Sequence, residues 1–334
     1  MRSFTVSALF MLVFGAVACA ATNSSPSHDS QAPASPGASN AATAELIAHF
    51  DPAAGELPEG MVVSRDVAYV GFAPTSRVVR FDFVTGLATP YGELPVAVSG
   101  QGFMTGLAQS ASGEVYAGLA SFVPEVQAGI YRIPKSGGAA TLFAKDGALS
   151  FPNALTFDGD GALWATDSDS GSVFRISPDG HAERWATGEA LTGQKEACDN
   201  AGPGFRIGAN GIVVERDAVY VVNMDHATLL KIPRDAAGNA GVPSVLAGPD
   251  CDALGGADGL ARSPDGSFVI AVNRQNKLVR VTKSGAIETI VQGAPFDFPA
   301  TVAYRGTTLY ATNFALATAS AGKPAAPGLV RIGE

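Results

Sequence analysis

Short stretches of alternating apolar and polar residues recur along most of the chain, and each follows a similar opening. Every unit contains a short apolar strand, a polar or glycine-containing turn, and a second strand rich in β-branched and aromatic residues. A third strand of alternating apolar and basic residues follows, as in "SRVVRFD" and "GSVFRIS", which is typical of a strand with one solvated face. The units open at Glu59, Thr105, Asn153, Asn210, Asp258 and Ala300.

Fourth strands such as "GAIETIVQG" complete the units, and no long apolar helical period lies between them. Six units of roughly 45 to 60 residues predict an all-β fold, a six-bladed β-propeller with four-stranded antiparallel blades. The sixth unit reaches only its third strand, "PGLVRIGE". We therefore expect an N-terminal strand at about residues 45–51 to join the last blade and close the ring, because closure removes an open sheet edge.

The first 20 residues carry one Arg and then an apolar run that is short for a membrane span, which indicates a secretory signal at 1–20. Its end, "GAVAC", resembles the lipobox of bacterial lipoproteins and implies lipid modification of Cys19. The usual Leu three residues earlier is absent, so ordinary signal cleavage remains open. Residues 21–44 are rich in Ser, Pro and Ala and predict a disordered tether before a propeller at 45–334. We expect an exported protein, a periplasmic or cell-surface lipoprotein or otherwise a secreted one.

Composition changes this picture in two respects. The net charge of -9 argues against nucleic acid or an anionic membrane as the main partner, so membrane contact is expected only through a lipid anchor. Beyond Cys19, the chain contains Cys198 and Cys251, which could form a disulfide in an oxidising compartment. Two buried free thiols are the alternative.

The residues that open the six units should converge, because the first strand of each blade lines the central tunnel of a propeller. Four of them carry oxygen ligands: Glu59, Asn153, Asn210 and Asp258. Two carboxylates repel each other in a partly dry tunnel, and no Lys or Arg stands at any of the six positions. An oxygen-only set of carboxylates and amides predicts a site for Ca²⁺ or another hard divalent cation.

These motifs resemble the gluconolactonase and senescence-marker-protein family of six-bladed propellers, with the related paraoxonases and diisopropylfluorophosphatases. The resemblance covers roughly residues 45 to 334, and it rests on "PEG" at 58–60, "FPNAL" at 151–155, "GANGI" at 208–212 and "GADGL" at 256–260. It implies a catalytic divalent ion, commonly Ca²⁺, held in the tunnel by a Glu from blade one and Asn or Asp from later blades. The chain lacks the blade-two His pair of the paraoxonases.

Such a site implies hydrolysis of lactones or related esters, because a tunnel cation polarises a carbonyl and binds the attacking water. Asp258 is the first candidate for general base or nucleophile, and a role as pure metal ligand is the alternative. Candidate substrate contacts near the same mouth are Thr105, Asp167, Asn223, His226, Asn273 and Asn313. Turn capping by Asx side chains is the alternative for the four Asp and Asn residues, and a solvated loop position is the alternative for His226.

Two other functions remain compatible with the pattern. A propeller can bind peptides or proteins at its mouth with purely structural inner residues, or it can keep a structural ion without turnover. Fold does not decide among these, since propellers host all of them. The two axial carboxylates favour the metal-dependent lactonase or esterase.

Overall fold

A computed structural model describes residues 42–198 and 205–333, and they form a six-bladed β-propeller with two short α-helices. The predicted signal at 1–20, Cys19 and the tether up to residue 41 lie outside the described residues. No helix in the described ranges is long and apolar enough to cross a bilayer.

The blades follow one another along the chain. Blade one contains β2 (Pro58–Ser64), β3 (Val67–Phe72), β4 (Arg77–Asp82) and β5 (Ala88–Glu93). Blade two contains β6 (Gly102–Gln109), β7 (Val115–Ser121), β8 (Gly129–Ile133) and β10 (Thr141–Ala144). Between the last two lies the short β9 (Gly138–Ala139), which pairs in parallel with β5 of blade one and so ties the two blades together.

The next three blades are simple antiparallel meanders. Blade three contains β11 (Pro152–Phe157), β12 (Leu163–Asp167), β13 (Ser172–Ile176) and β14 (Ala182–Thr187). Blade four contains β15 (Ala209–Val214), β16 (Ala218–Asn223), β17 (Thr228–Pro233) and β18 (Ser244–Ala247). Blade five contains β19 (Ala257–Arg262), β20 (Phe268–Val272), β21 (Lys277–Val281) and β22 (Ile287–Gln292).

The sixth blade closes the ring as the sequence predicts. It contains β23 (Pro299–Arg305), β24 (Thr308–Asn313), β25 (Gly328–Gly333) and the N-terminal β1 (Thr43–His49). β1 lies antiparallel to β25, with Thr43 opposite Gly333 and His49 opposite Gly328. The strand begins two residues before the predicted boundary, because Ala44 as well as Leu46 packs against the core between blades five and six.

The core consists of apolar layers between neighbouring blades, one layer for each of the six pairs. Between blades one and two, for example, Tyr69 and Val78 pack against Met104 and Leu107. The side chains of successive residues leave a strand on opposite faces, so each blade supplies apolar residues to both neighbours. This explains why the second strand of every blade is buried along nearly its whole length.

Two short helices lie in connections that the strand pattern did not predict. α1 (Cys251–Leu254) precedes β19 and is capped by Asp250, whose side chain accepts a hydrogen bond from the backbone N–H of Ala253. α2 (Leu316–Ser320) lies between β24 and β25. Helices of four and five residues are too short to show an apolar helical period, so the sequence carried no signal for them.

Candidate functional site

All six inner strands carry a β-bulge, and the bulge begins at the residue that opens each sequence unit. In blade four Ala209 pairs with Asn223, but the next pairing joins Ile212 to Val221, so Asn210 is displaced from the ladder. The remaining blades shift register at Glu59, Thr105, Asn153, Asp258 and Ala300. A bulge re-aims a side chain and bends its strand. The six positions are therefore structurally equivalent and lie at one end of the inner strands.

Glycine follows the bulge residue in four blades and allows neighbouring inner strands to touch. A Cβ atom on Gly211 would lie 2.4 Å from the carbonyl oxygen of Asp258, and one on Gly259 would lie 2.4 Å from that of Ala300. Contacts this short exclude any side chain. The recurring motif of a polar residue followed by glycine thus has two functions. The polar residue occupies the bulge, and the glycine permits close packing of the inner strands around the axis.

Hydroxyl groups from adjacent blades hold the backbone at two of these positions. Thr312 and Thr301 of blade six donate hydrogen bonds of 3.1 and 2.8 Å to the carbonyl oxygen of Glu59. Thr166 of blade three donates one of 2.7 Å to the carbonyl oxygen of Asn210. Because these bonds cross between blades, they fix the relative positions of residues that are far apart in sequence.

Glu59 and Asp258 form a buried pair of carboxyl groups. Their exposed fractions are 6% and 8%, and Oε2 of Glu59 is buried with no hydrogen-bond partner among the described residues. Burial, together with the nearby charge of Asp258, raises the pKa of Glu59 well above its ordinary value. Burial also raises the pKa of Asp258 to about 7. Both groups therefore resist ionisation unless a positive charge joins them.

Two amides and one guanidinium oppose the effect of burial on Asp258. Asn273 donates a hydrogen bond of 2.9 Å from Nδ2 to Oδ2 of Asp258. Hydrogen bonding by Asn273 and Asn210 and the charge of Arg274 all act to lower the pKa of Asp258. Asp258 thus has several neighbours that favour its ionised form, whereas among the described residues the charge that acts on Glu59 is that of Asp258, which disfavours ionisation.

The structure brings three of the four predicted ligands close enough to influence one another: Asp258 raises the pKa of Glu59, and Asn210 acts to lower the pKa of Asp258. Asn153 occupies the equivalent bulge on β11, which packs against β15. Its Nδ2 donates a hydrogen bond of 2.9 Å to the hydroxyl of Ser168. This leaves the carbonyl oxygen of the Asn153 amide as the end available to a ligand.

Among the described residues, no three His, Cys, Asp or Glu side chains form a metal-binding cluster. The candidate site differs in composition, since it combines two carboxylates with neutral amides. Its donor set suits a hard cation, because every donor is an oxygen. The unpartnered Oε2 of Glu59 fits the same conclusion, since a buried acceptor without a donor is costly unless a cation or proton occupies it.

Three of the proposed substrate contacts are instead fully buried loop caps. Asp167 accepts hydrogen bonds of 2.7 Å from the backbone N–H groups of Phe151 and Ser170. Asn223 donates to the carbonyl oxygens of two loop residues, and Asn313 does the same. Their side chains have no exposed surface, so the capping alternative describes them.

The physical reason is the hairpin register. Asp167, Asn223 and Asn313 pair with the residue before the bulge, whereas Asn273 lies one position beyond its paired neighbour, Val272. The bulge side chain is contacted from the position directly after the last paired residue of the second strand. It is occupied by Ser168 in blade three, by Met224 in blade four and by Asn273 in blade five. The residues one position after Asp167 and Asn223 are Ser168 and Met224, so moving the predicted contacts one residue towards the C-terminus would have identified both from the sequence.

The two other proposed contacts have different surroundings. Thr105 is completely buried, and its hydroxyl donates a hydrogen bond of 2.6 Å to the carbonyl oxygen of Pro152 in the next blade. It therefore ties blades two and three together. His226 is partly exposed in the turn after β16, where its backbone N–H binds Oδ1 of Asn223.

Arg274 is a site residue that the sequence pattern did not indicate. It follows Asn273, and its half-buried guanidinium faces both Asp225 and Asp258. Burial lowers the pKa of Arg274, and the two carboxylates oppose that shift. Nη1 is buried without a hydrogen-bond partner among the described residues. Arg274 does not stand at any of the six bulge positions, so the absence of Lys and Arg at those positions gave no indication of it.

Cys198 and Cys251 are joined by a disulfide with an S–S distance of 2.06 Å and a Cα–Cα distance of 5.5 Å. Cys251 begins α1, and its carbonyl oxygen accepts a hydrogen bond of 3.0 Å from Nε2 of Gln275. The disulfide thus links the connection before β15 to the segment that carries Asn273 and Arg274.

Sequence comparison matches residues 57–314 to the family described as "SMP-30/Gluconolactonase/LRE-like region". The chain belongs to this family. The match spans five blades completely and two of the four strands of the sixth, and it includes all four predicted ligands. No protein of curated function matches the sequence significantly.

Solved structures that share the family's fold are distant in sequence. A gluconolactonase from Xanthomonas campestris has a TM-score of 0.62 and 16% identity, covering 87% of this chain and 89% of its own. The calcium-binding protein regucalcin from Agrobacterium tumefaciens has a TM-score of 0.58 and 18% identity, with coverage of 83% and 90%. A PQQ-bound aldose sugar dehydrogenase from Streptomyces coelicolor reaches 0.63 and 18%, with coverage of 87% and 98%. At these identities the likeness shows the propeller fold alone.

Proposed function

We propose that this protein hydrolyses lactones or related esters with the help of a divalent cation, Ca²⁺ or another hard ion, in its central tunnel. Glu59, Asn153, Asn210 and Asp258 would hold the ion. The observation that carries the proposal is the buried pair of Glu59 and Asp258, in which one carboxylate oxygen has no partner. Burying two carboxyl groups side by side destabilises a fold unless a ligand of opposite charge binds there.

The residues present suit such an ion in number and in kind. Two carboxylates supply the charge, and the amides of Asn153 and Asn210 supply neutral oxygen ligands without adding repulsion. Rotation of the Asn210 amide by half a turn exchanges the positions of its NH₂ group and its carbonyl oxygen. The same side chain can therefore donate a hydrogen bond to Asp258 without a cation and offer its oxygen to a bound cation. Arg274 interacts with both Asp225 and Asp258, and no positive group among the described residues lowers the pKa of Glu59.

A cation bound in this site supplies Lewis acidity that polarises the carbonyl oxygen of a lactone or ester. Asp258 is our candidate for the general base: burial raises its pKa to about 7, while Asn210, Asn273 and Arg274 favour the ionised form that accepts a proton. Its carboxylate takes a proton from water while the water oxygen forms a bond to the carbonyl carbon. The C–O bond of the ring then breaks, and the leaving oxygen receives the proton back. Asn273 orients the carboxylate through its 2.9 Å hydrogen bond.

Family membership and fold support this reaction class. The matched family includes gluconolactonases in its description, and the structural relatives include a gluconolactonase and a calcium-binding protein. By the same reasoning the partner of the site is a small molecule.

The decisive experiment measures bound metal and hydrolysis on the same preparation. Elemental analysis of purified protein should find about one Ca²⁺ per chain, and chelation should abolish hydrolysis of a lactone panel until Ca²⁺ is restored. Absence of any ion would overturn the metal site. A bound ion without hydrolysis of any lactone or ester would overturn the hydrolase and leave a structural ion in a binding propeller.

We also propose export and a lipid anchor at Cys19, on the basis of the sequence of residues 1–20. Mass spectrometry of the mature N-terminus checks this in cells of a host with lipoprotein processing. The expected product begins with acylated Cys19, and a Cys19→Ser variant should leave the membrane fraction. A mature chain that begins after residue 20 in unacylated form would show ordinary secretion instead.

A further inference from the structure

Six phenylalanines lie along one side of the mouth near the candidate site, and we call them the phenylalanine belt: Phe103, Phe122, Phe151, Phe205, Phe298 and Phe314. Phe103, Phe151 and Phe298 each precede a bulge residue by two positions. Phe122 and Phe314 directly follow the second strands of blades two and six. The first strand begins and the second strand ends at the same end of a blade, so these side chains gather at one mouth.

The belt is continuous over the blades that contribute to it. The ring centre of Phe151 lies 5.4 Å from that of Phe103, 5.7 Å from Phe122 and 5.9 Å from Phe205. Phe298 and Phe314 lie 6.2 Å apart, and Phe103 packs against their cluster as well as against that of Phe151. Aromatic residues therefore extend from blade six past blade one to blade four.

The belt reaches the candidate site at two points. Ala300, the bulge residue of blade six, packs in the same cluster as Phe314. Met224 packs with Phe151, and its sulfur lies 3.9 Å from Nδ2 of Asn210. A molecule whose carbonyl group lies at the carboxylate pair would thus place its remaining atoms against phenylalanine rings.

The opposite side of the mouth is different in character. At the position of Phe103, Phe151 and Phe298, blades four and five carry Gly208 and Gly256. Polar groups occupy this side, since Asn273 and Arg274 lie beside Gly256. The mouth therefore combines an apolar arc with a polar sector next to Asp258.

Accessibility distinguishes the belt from an ordinary core. Phe122 is 40% exposed, and Phe103, Phe205 and Phe298 are partly exposed, whereas core phenylalanines such as Phe174 are completely buried. Phe151 and Phe314 are buried and pack against the partly exposed rings of Phe103 and Phe298. Exposed apolar surface that borders a site is typical of ligand recognition. The rings offer no hydrogen-bond partner to a hydroxyl group, so polar substituents that contact them lose hydration without compensation.

We infer that the site selects lactones or esters with an aromatic or alkyl substituent and discriminates against polyhydroxylated sugar lactones. This specificity rests on the proposed hydrolase function. Burial of a phenyl group against the belt is expected to raise kcat/KM about 10- to 100-fold over the unsubstituted ring, which is the gain from burying one large apolar side chain.

The test compares γ-phenyl-γ-butyrolactone, γ-butyrolactone and D-glucono-1,5-lactone on the full chain loaded with Ca²⁺. The phenyl lactone should have the highest kcat/KM. Phe122→Ser should lower the ratio of phenyl to unsubstituted lactone about 3- to 10-fold through KM. Leu142→Ser is the matched control, because Leu142 lies on the outer strand β10 with nearly the same exposure, 39%. It should leave the ratio unchanged.

The inference can fail while hydrolysis stands. Faster turnover of the sugar lactone, or an unchanged ratio in Phe122→Ser, overturns the assignment of the belt and leaves the hydrolase intact. Where no lactone is hydrolysed, calorimetric titration with the stable lactams 5-phenyl-2-pyrrolidinone and 2-pyrrolidinone decides the question. Tighter binding of the phenyl lactam by tenfold or more supports the belt, and equal affinities refute it.

Discussion

Asn273 donates a hydrogen bond of 2.9 Å to Oδ2 of Asp258, and it does so from the first position beyond the paired end of β20. Asp258 lies in β19 and Asn273 directly follows β20 of the same blade, so the contact does not depend on how the blades are arranged. It places a neutral amide directly on the carboxyl group that we propose as general base. The bond favours the ionised form of Asp258.

Replacement of Asn273 by Ala should raise the pKa of Asp258 further, because one of the groups that lowers it is removed. The rising limb of the pH–rate profile should move to higher pH by about one to two units, since a hydrogen bond to a charged group contributes roughly 1.5 to 3 kcal/mol. Steady-state kinetics from pH 5 to 9 measure this shift. A drop in kcat at every pH with no displacement of the limb would assign Asn273 a purely structural role.

Asn210→Ala should lower Ca²⁺ affinity and kcat/KM together, because it removes one neutral oxygen from the proposed ligand set. We expect a loss of about tenfold or more in affinity, measured by titration with Ca²⁺. Asn313→Ala is the matched control, since Asn313 is also a buried asparagine near the mouth but caps a loop. That variant should lose about 1 to 3 kcal/mol of stability while its folded fraction binds Ca²⁺ normally. Equal Ca²⁺ affinities in both variants would contradict the assignment of Asn210.

Stability of the metal-free protein should depend on pH through Asp258 and Glu59. Both carboxyl groups have raised pKa values in the folded chain, so each binds its proton more tightly when folded than when unfolded. Their contribution to stability is complete below about pH 4, near the ordinary carboxyl pKa, and Asp258 loses its share as the pH approaches about 7.

Thermal unfolding in chelator measures this contribution as the Tm difference between wild type and Asp258→Asn. The Tm of wild type relative to that of Asp258→Asn should be lower at pH 7.5 than at pH 4.5, because Asp258 ionises at the higher pH and Asn does not. Ca²⁺ should raise the wild-type Tm more at the higher pH, since ionised carboxylates are the better ligands. A Tm difference that is constant with pH would show that Asp258 ionises normally in the fold.

Removal of the disulfide by a Cys198→Ser/Cys251→Ser double substitution should lower the free energy of unfolding. The bond closes a loop with a sequence separation of 53, which corresponds to about 4 kcal/mol in the chain-entropy model. Scanning calorimetry with and without reductant tests this. Reductant should lower the Tm of wild type and leave the double variant unaffected, and equal Tm values for the oxidised wild type and the variant would refute the expected stabilisation.

The architecture could be predicted because each blade repeats the same local physics. Alternating strands, turn residues and a repeat period specify the meanders, and the incomplete sixth unit specifies closure by β1. The bulge residues were also recognisable, since a polar residue followed by Gly recurs at the opening of several units. Family membership followed from the same motifs and is confirmed by the match over residues 57–314.

The four Asp and Asn residues proposed as substrate contacts show the limit of what the strand pattern predicts. Asp167, Asn223 and Asn313 are similar in type and position to Asn273, yet they cap loops and Asn273 contacts Asp258. A displacement of one residue along an extended strand reverses the direction of a side chain. The strand ends alone do not reveal that displacement.

The sequence by itself determined the number of blades, the order of their strands, the closing strand and the residues that open the inner strands, because these depend on periodicity and turn chemistry within each unit. Only the tertiary structure decided that Glu59 and Asp258 are buried neighbours, that Arg274 lies near Asp258 and that six phenylalanines border one mouth. The first and third of these relationships join residues from different blades, and the second depends on the strand register within blade five. They arise from the closure of the ring and from the bulge register, which no local pattern encodes.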